Sequence, residues 1–91
     1  MRIRRRLDAA VAKRMYPRVV EGRNNGGVDE YRGAFVAYPR AGFGFYSHHG
    51  FSDQWLQTYD QQYSAKGMAL RYSQMFTGAS GATLHCATWT D

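Results

Sequence analysis

Three histidines and a single cysteine are the side chains of this sequence with the widest chemical repertoire. His48 and His49 are adjacent, and His85 stands apart near the end of the chain. A catalytic zinc needs about three protein ligands, so a site here would need His85 to join the pair. Neighbouring residues point in different directions on most backbones, which works against both His48 and His49 reaching one ion. The plainer role is that His49-Gly50 shapes the approach to a following helix. Cys86 could attack as a thiolate if a histidine lowered its pKa. Between His85 and Ala87 in a β-prone run, it reads better as a small buried hydrophobe. Ser47, Ser52, Ser73 and Ser80 lack the strand-to-helix context of a nucleophile elbow. Gly42-Phe43-Gly44 lacks the spacing of a phosphate-binding loop. Asp53 and Asp60 are seven residues apart, about two helical turns, which is too far for a paired-carboxylate glycosidase site. The expectation is therefore no catalytic residue, no bound metal and no cofactor.

Recognition is the better use for the residues between the periodic segments. Arg40, Phe43, Phe45, Tyr46, His48 and His49 lie in a run rich in aromatics and glycine, and aromatics beside an arginine are common at binding hot spots. These six are the candidate ligand-binding residues. A second candidate surface is the N-terminus, where Arg2, Arg4, Arg5 and Arg6 could contact phosphates. The chain carries a net charge of +5, and seven of its twelve bases fall in the first 18 residues. The remainder, with five bases against six acids, is near neutral. Basic character therefore belongs to one segment, and no base-reading motif accompanies it.

Those residues need a scaffold, and 91 residues make one domain with a small core. Seven Tyr, five Phe and two Trp call for a core or a surface built from rings. One cysteine permits no intrachain disulfide. No apolar run approaches the length of a membrane span, and no apolar segment follows the basic start as in a secretory signal. The expected location is cytoplasmic by default, with no membrane partner.

Ile3, Leu7, Ala10, Val11 and Met15 have helical spacing, which predicts an amphipathic helix over 2–15 with Pro17 ending it. Arg18 to Glu21 is β-prone, Asn24-Asn25-Gly26-Gly27 signals a turn, and Tyr31 to Tyr38 reads as the returning strand. Residues 39–51 are then expected as a connection. Ser52 suits an N-cap, and Trp55, Tyr59 and Tyr63 at i, i+4, i+8 predict the core face of a helix reaching Lys66. Gly67 suits a left-handed C-cap. Met68 to Phe76, a turn over 77–81 and Thr83 to Trp89 complete a second hairpin.

The order helix, strand, turn, strand thus occurs twice. A shift of 53 pairs Ala12 with Ala65, Lys13 with Lys66, Met15 with Met68, Arg18 with Arg71 and Ala34 with Ala87. Average usage gives about one or two such identities by chance over this window. The coincidence of turns and strand starts under the same shift carries more weight.

These residues resemble the bacterial tandem-repeat domain family, whose units resemble the aromatic-rich pseudorepeats in polyglycine hydrolases. The second unit carries the resemblance in His49-Gly50-Phe51, Trp55, Tyr59-Asp60, Ala65-Lys66-Gly67, Arg71, Gly78, Gly81 and Ala87-Thr88-Trp89. The first carries it in Leu7, Ala12-Lys13, Tyr16-Pro17-Arg18-Val19, Gly22, Gly26-Gly27 and Tyr31 to Phe35. The first unit departs in lacking the His-Gly opening and the helix-ending glycine, and it has Val36 where the constant shift expects Trp89. The resemblance implies a repeat scaffold for recognition, the serine chemistry of polyglycine hydrolases lying in a separate domain.

The reading is an α+β fold of two tandem helix-plus-hairpin repeats around an aromatic core: unit one at 2–38, a connection at 39–51, and unit two at 52–91. Its expected function is a non-catalytic binding module for a protein or peptide surface. The alternatives are a nucleic-acid-binding protein using the basic helix and a minimal histidine-dependent hydrolase or metal enzyme. Two repeats seldom close a core alone, so a homo-oligomer is expected.

Overall fold

The computed structural model describes residues 9–91. Residues 9–12 are helical, and Arg14 at φ 57° turns the chain out of the helix. The helix therefore stops short of the expected Met15, which already begins a strand, and Pro17 lies within that strand rather than capping the helix. Among the described residues no helix is long and apolar enough to cross a membrane.

Strands β1 (Met15–Asn25) and β2 (Val28–Ala37) form an antiparallel hairpin. Its two-residue loop is Gly26-Gly27, at φ 62° and 86°, the left-handed pair that a tight hairpin with the native strand twist requires. Strand β3 (Phe45–Phe51), helix α1 (Asp53–Ser64), β4 (Ala69–Thr77) and β5 (Thr83–Thr90) follow. The second sheet runs β3-β5-β4, antiparallel throughout. The fold is α+β, as expected.

The expected 39–51 connection is corrected here. Only residues 38–44 link the strands, and Phe45 to Phe51 form an edge of the larger sheet. Strand alternation sends its side chains to opposite faces.

β5 shows why the molecule has three layers. His85, Ala87 and Trp89 face α1, where Trp89 Nε1 donates to Asp60 Oδ1 at 3.1 Å. Phe51, Tyr63, Met68, Ala87 and Trp89 form the buried cluster on that side, with Leu56 and Tyr59 packed against it. Cys86, Thr88 and Thr90 face the β1–β2 ribbon, where Thr88 Oγ1 donates to the Pro17 carbonyl at 2.9 Å. A strand covered on both faces loses the polar alternation of a half-exposed one, and β5 is buried continuously from His85 to Thr90.

The ribbon is docked by polar contacts as well as rings. Gln74 of β4 accepts from the Gly22 N–H at 3.1 Å and donates to the Gly22 carbonyl at 3.0 Å. One side-chain amide thus serves as a substitute strand for one residue of β1. Gly22 is required at this point, since a Cβ there would sit 2.3 Å from the Phe76 ring. Beside it, Asp29 Oδ1 accepts from the Ala79 N–H at 2.8 Å.

Both hairpins carry a bulge in their first strand, at Arg18 in β1 and at Arg71 in β4. Pro17 pairs with Phe35 and Val19 with Ala34, while Leu70 pairs with Trp89 and Tyr72 with Thr88. Aligned on their bulges, the first strands correspond at an offset of 53 and the second strands at 54. On that alignment Phe35, rather than Val36, stands at the position of Trp89. A one-residue slip moves a side chain to the opposite face, so this correction changes which residues correspond in packing.

Candidate functional site

A cleft of about 850 Å³ opens where the ribbon meets the larger sheet, and the two bulged arginines both line it. A bulge inserts a residue with no direct partner on the opposite strand and re-aims its side chain. Arg71 donates through Nε to Thr90 Oγ1 at 2.9 Å, and its Nη2 lies 3.5 Å from the Asp91 main-chain oxygen. Neither acceptor is an acidic side chain. The Arg18 side chain is exposed and makes no hydrogen bond or ion pair among the described residues.

Arg40 is the third arginine of the cleft. Its Nη2 contacts Asp91 Oδ1 at 2.5 Å, and its guanidinium stands 5.6 Å from the centre of the Phe43 ring. The other Asp91 oxygen accepts from the Gly44 N–H at 3.2 Å. Asp91 thereby holds the 38–44 connection against the end of β5. Tyr16 and Phe43 supply an aromatic wall, with ring centres 4.7 Å apart. Tyr72 lines the cleft too, and burial, with smaller contributions from Glu21 and Cys86, raises its pKa. It presents a neutral hydroxyl.

The six residues singled out from sequence do not form one site. Arg40 and Phe43 line the cleft. Phe45 lies on the ribbon side of β3, its ring 5.6 Å from Tyr16 and 6.2 Å from Tyr38. His49 faces the same side, against Tyr31 at 4.7 Å. Tyr46 and His48 project to the opposite face, toward α1. Arg2, Arg4, Arg5 and Arg6 lie outside the described residues. Sequence reasoning missed Tyr16, Arg18, Arg71, Tyr72 and Asp91 as site residues. The Arg18/Arg71 identity was visible as a mark of repetition. That the two arginines share one cleft appears only in the tertiary structure.

Tyr46 and His48 belong to a stack with a geometric cause. Successive turns of α1 advance about 6 Å per four residues, and alternate strand residues advance nearly the same. His48 therefore stacks on Tyr59 at 4.0 Å and Tyr46 on Tyr63 at 4.1 Å, each pair within 8° of parallel. His48 Nε2 and the Tyr63 hydroxyl are 2.5 Å apart. Burial, helped by neighbouring His49, lowers the His48 pKa, and burial raises that of Tyr63. Both shifts favour neutral partners, with the phenol donating to an unprotonated imidazole nitrogen. Trp55, expected in the core, is 53% exposed at the open end of this stack.

The remaining reactive groups have structural employment. His85 Nε2 bonds the Asp53 carboxylate, tying β5 to the first turn of α1. Cys86 is fully buried, and burial raises its thiol pKa, which disfavours the nucleophilic form. His48 and His49 face opposite sides of β3, and no group of three metal-capable side chains occurs among the described residues.

Comparison with family models, with curated proteins and with solved structures returns no match to this chain.

Proposed function

We propose that this chain is a non-catalytic, repeat-type binding module that recognises a protein or peptide surface through the arginine-lined cleft. The observation that carries the reading is the pair of equivalent bulges, Arg18 and Arg71, facing one aromatic-walled space. Its volume falls in the usual range for ligand pockets, about 300–1,000 Å³. Arginine and tyrosine are also the residue types most often found at interface hot spots.

The tandem-repeat part of the proposal draws its support from the correspondence of the hairpins. The bulges match, and so do the left-handed glycines Gly27 at φ 86° and Gly81 at φ 87°. Against it stand the unequal turns: the pair Asn25 and Val28 encloses two residues, whereas the corresponding Gly78 and Ala82, joined by a main-chain bond of 2.8 Å, enclose three. That extra residue accounts for the one-residue change in offset.

The test is selection from a random peptide library on the immobilised full chain, with thermal melts run alongside. Enriched peptides should lose binding to Arg18→Gln and Phe43→Ala proteins that melt as the parent does. Failure to enrich any peptide, or binding indifferent to both substitutions, would defeat the proposal.

A further inference from the structure

We infer that the cleft selects extended peptide segments bearing an acidic side chain, which Arg18 and Arg71 hold as a carboxylate. This rests on the peptide-binding reading above and goes on to name the chemistry recognised.

The charge of the cleft is unbalanced. Its ionised side chains are Arg18, Arg40, Arg71 and Asp91. Asp91 is committed to Arg40 and to the Gly44 N–H. Arg71 bonds no acidic side chain, and the Arg18 side chain has no polar partner among the described residues. Among the described residues, two guanidinium groups thus face the same space with no acidic side chain bonded to either. Elsewhere the exposed arginines of the ribbon are neutralised, Arg23 by Glu30 at 3.2 Å and Arg32 by Glu21 at 3.4 Å. The contrast sets Arg18 apart from the other two arginines of the ribbon.

The cleft also contains an example of the proposed interaction. The Asp91 carboxylate is divided between a guanidinium and a main-chain N–H, one oxygen to each. A guanidinium presents planar, paired donors suited to carboxylates. An incoming Asp or Glu side chain would meet the same donor type at Arg18 and Arg71. Tyr16, Phe43 and Val36 offer apolar contact to the flanking residue, so the expected ligand alternates acidic and apolar positions. A strand-like peptide does this naturally, with period two. Along the ribbon itself Arg23 and Arg32 are ion-paired, so they add no free charge for a phosphate backbone.

The experiment uses the full chain and fluorescence anisotropy with three labelled probes: an acetylated, amidated hexapeptide alternating Asp and Phe, its Asn-for-Asp counterpart, and a twelve-residue oligothymidine. The Asp peptide should bind about tenfold more tightly than the Asn peptide, in keeping with the strength of charge-assisted bonds. Its affinity should fall as salt rises from low to physiological concentration. Arg18→Gln and Arg71→Gln should each weaken it by about tenfold. Arg32→Gln, on the outward face of the ribbon, should leave it unchanged. Equal binding of both peptides, abolished by Tyr16→Ala, would overturn the acidic preference and leave the peptide-binding reading standing. Binding of neither peptide would overturn both. Tighter capture of oligothymidine than of the Asp peptide would overturn the inference in favour of a phosphate-backbone ligand.

Discussion

His48 shows how one side chain can carry a pH dependence without catalysing anything. Its ring lies flat on Tyr59 and meets the Tyr63 hydroxyl, so protonation would put a charge into a half-buried aromatic stack. The folded pKa is below the ordinary 6.5, first through burial and then through His49. The unfolded chain therefore binds more protons than the folded one as pH drops below about 6.5, and stability falls over that window until the folded pKa is passed. Above it the contribution is complete. Urea midpoints measured from pH 7.5 down to 5 should decline, and His48→Phe should flatten the part of that decline that is due to His48. The same variant should cost about 1 kcal/mol at neutral pH, for the lost bond to Tyr63. Gly50 acts beside it in a different way. At φ 71° it is the extra residue between His49 and Phe51 in the β3–β5 register, and a Cβ there would collide with the Tyr31 hydroxyl. The bulge returns Phe51 to the α1 side, where it joins the core.

At the scale of elements, the joint between ribbon and sheet depends on Gln74. Its amide satisfies both main-chain groups of Gly22, and β1 has no third strand to do so. Gln74→Leu keeps most of the volume and leaves two polar groups without partners. The expected cost is about 1–3 kcal/mol. Hydrogen exchange read by mass spectrometry should show the extra opening concentrated in β1 and β2, with β5 still slow. Equal acceleration in all five strands would mean that the ribbon and the sheet open as one unit. α1 depends on a different set of devices. The Leu56 N–H donates to the Ser52 carbonyl at its start, and at its end Gly67, at φ 79°, lets the Met68 N–H reach the Tyr63 carbonyl. The position of these ends was readable from sequence because end signals are local, although the Ser52 hydroxyl makes no capping bond and the helix stops at Ser64, short of the expected Lys66. β3 was not readable in that way. Phe45 is covered by the ribbon and Tyr46 by α1, so the strand lacks the alternation that marks a half-exposed one.

At the scale of the molecule, the question is whether one chain completes its own core. The expected homo-oligomer followed from the idea that two units leave a face open. Here β5 is covered by α1 on one side and by the ribbon on the other. The outward face of the ribbon carries two cross-strand ion pairs, Glu21 with Arg32 and Arg23 with Glu30. Their counterparts in the second hairpin are Gln74, Cys86, Phe76 and Leu84, three of them apolar. Charged pairs are costly to bury against a second copy. Light scattering should therefore give a mass near the monomer value of 10.4 kDa at micromolar concentration. A dimer mass would contradict this and direct attention to exposed Leu70 and Met75 on β4, the latter 67% exposed, where Met75→Glu should restore the monomer.

The sequence by itself determined the local events: the glycine turn between β1 and β2, the placing of α1 between Ser52 and Gly67, the second hairpin, and the 53-residue spacing of Arg18 and Arg71. Each depends on residues within a few positions of one another, or on a spacing that can be counted along the chain. Only the tertiary structure decided that β3 is a strand, that its histidines and aromatics divide between two faces, and that Phe35 rather than Val36 stands at the position of Trp89 when the bulges are aligned. It alone brought Arg18 and Arg71 to one cleft. Those outcomes depend on which faces stack and in what register, and a shift of one residue reverses them. Composition and spacing carry no record of that choice, because it is made by contacts between residues about fifty positions apart.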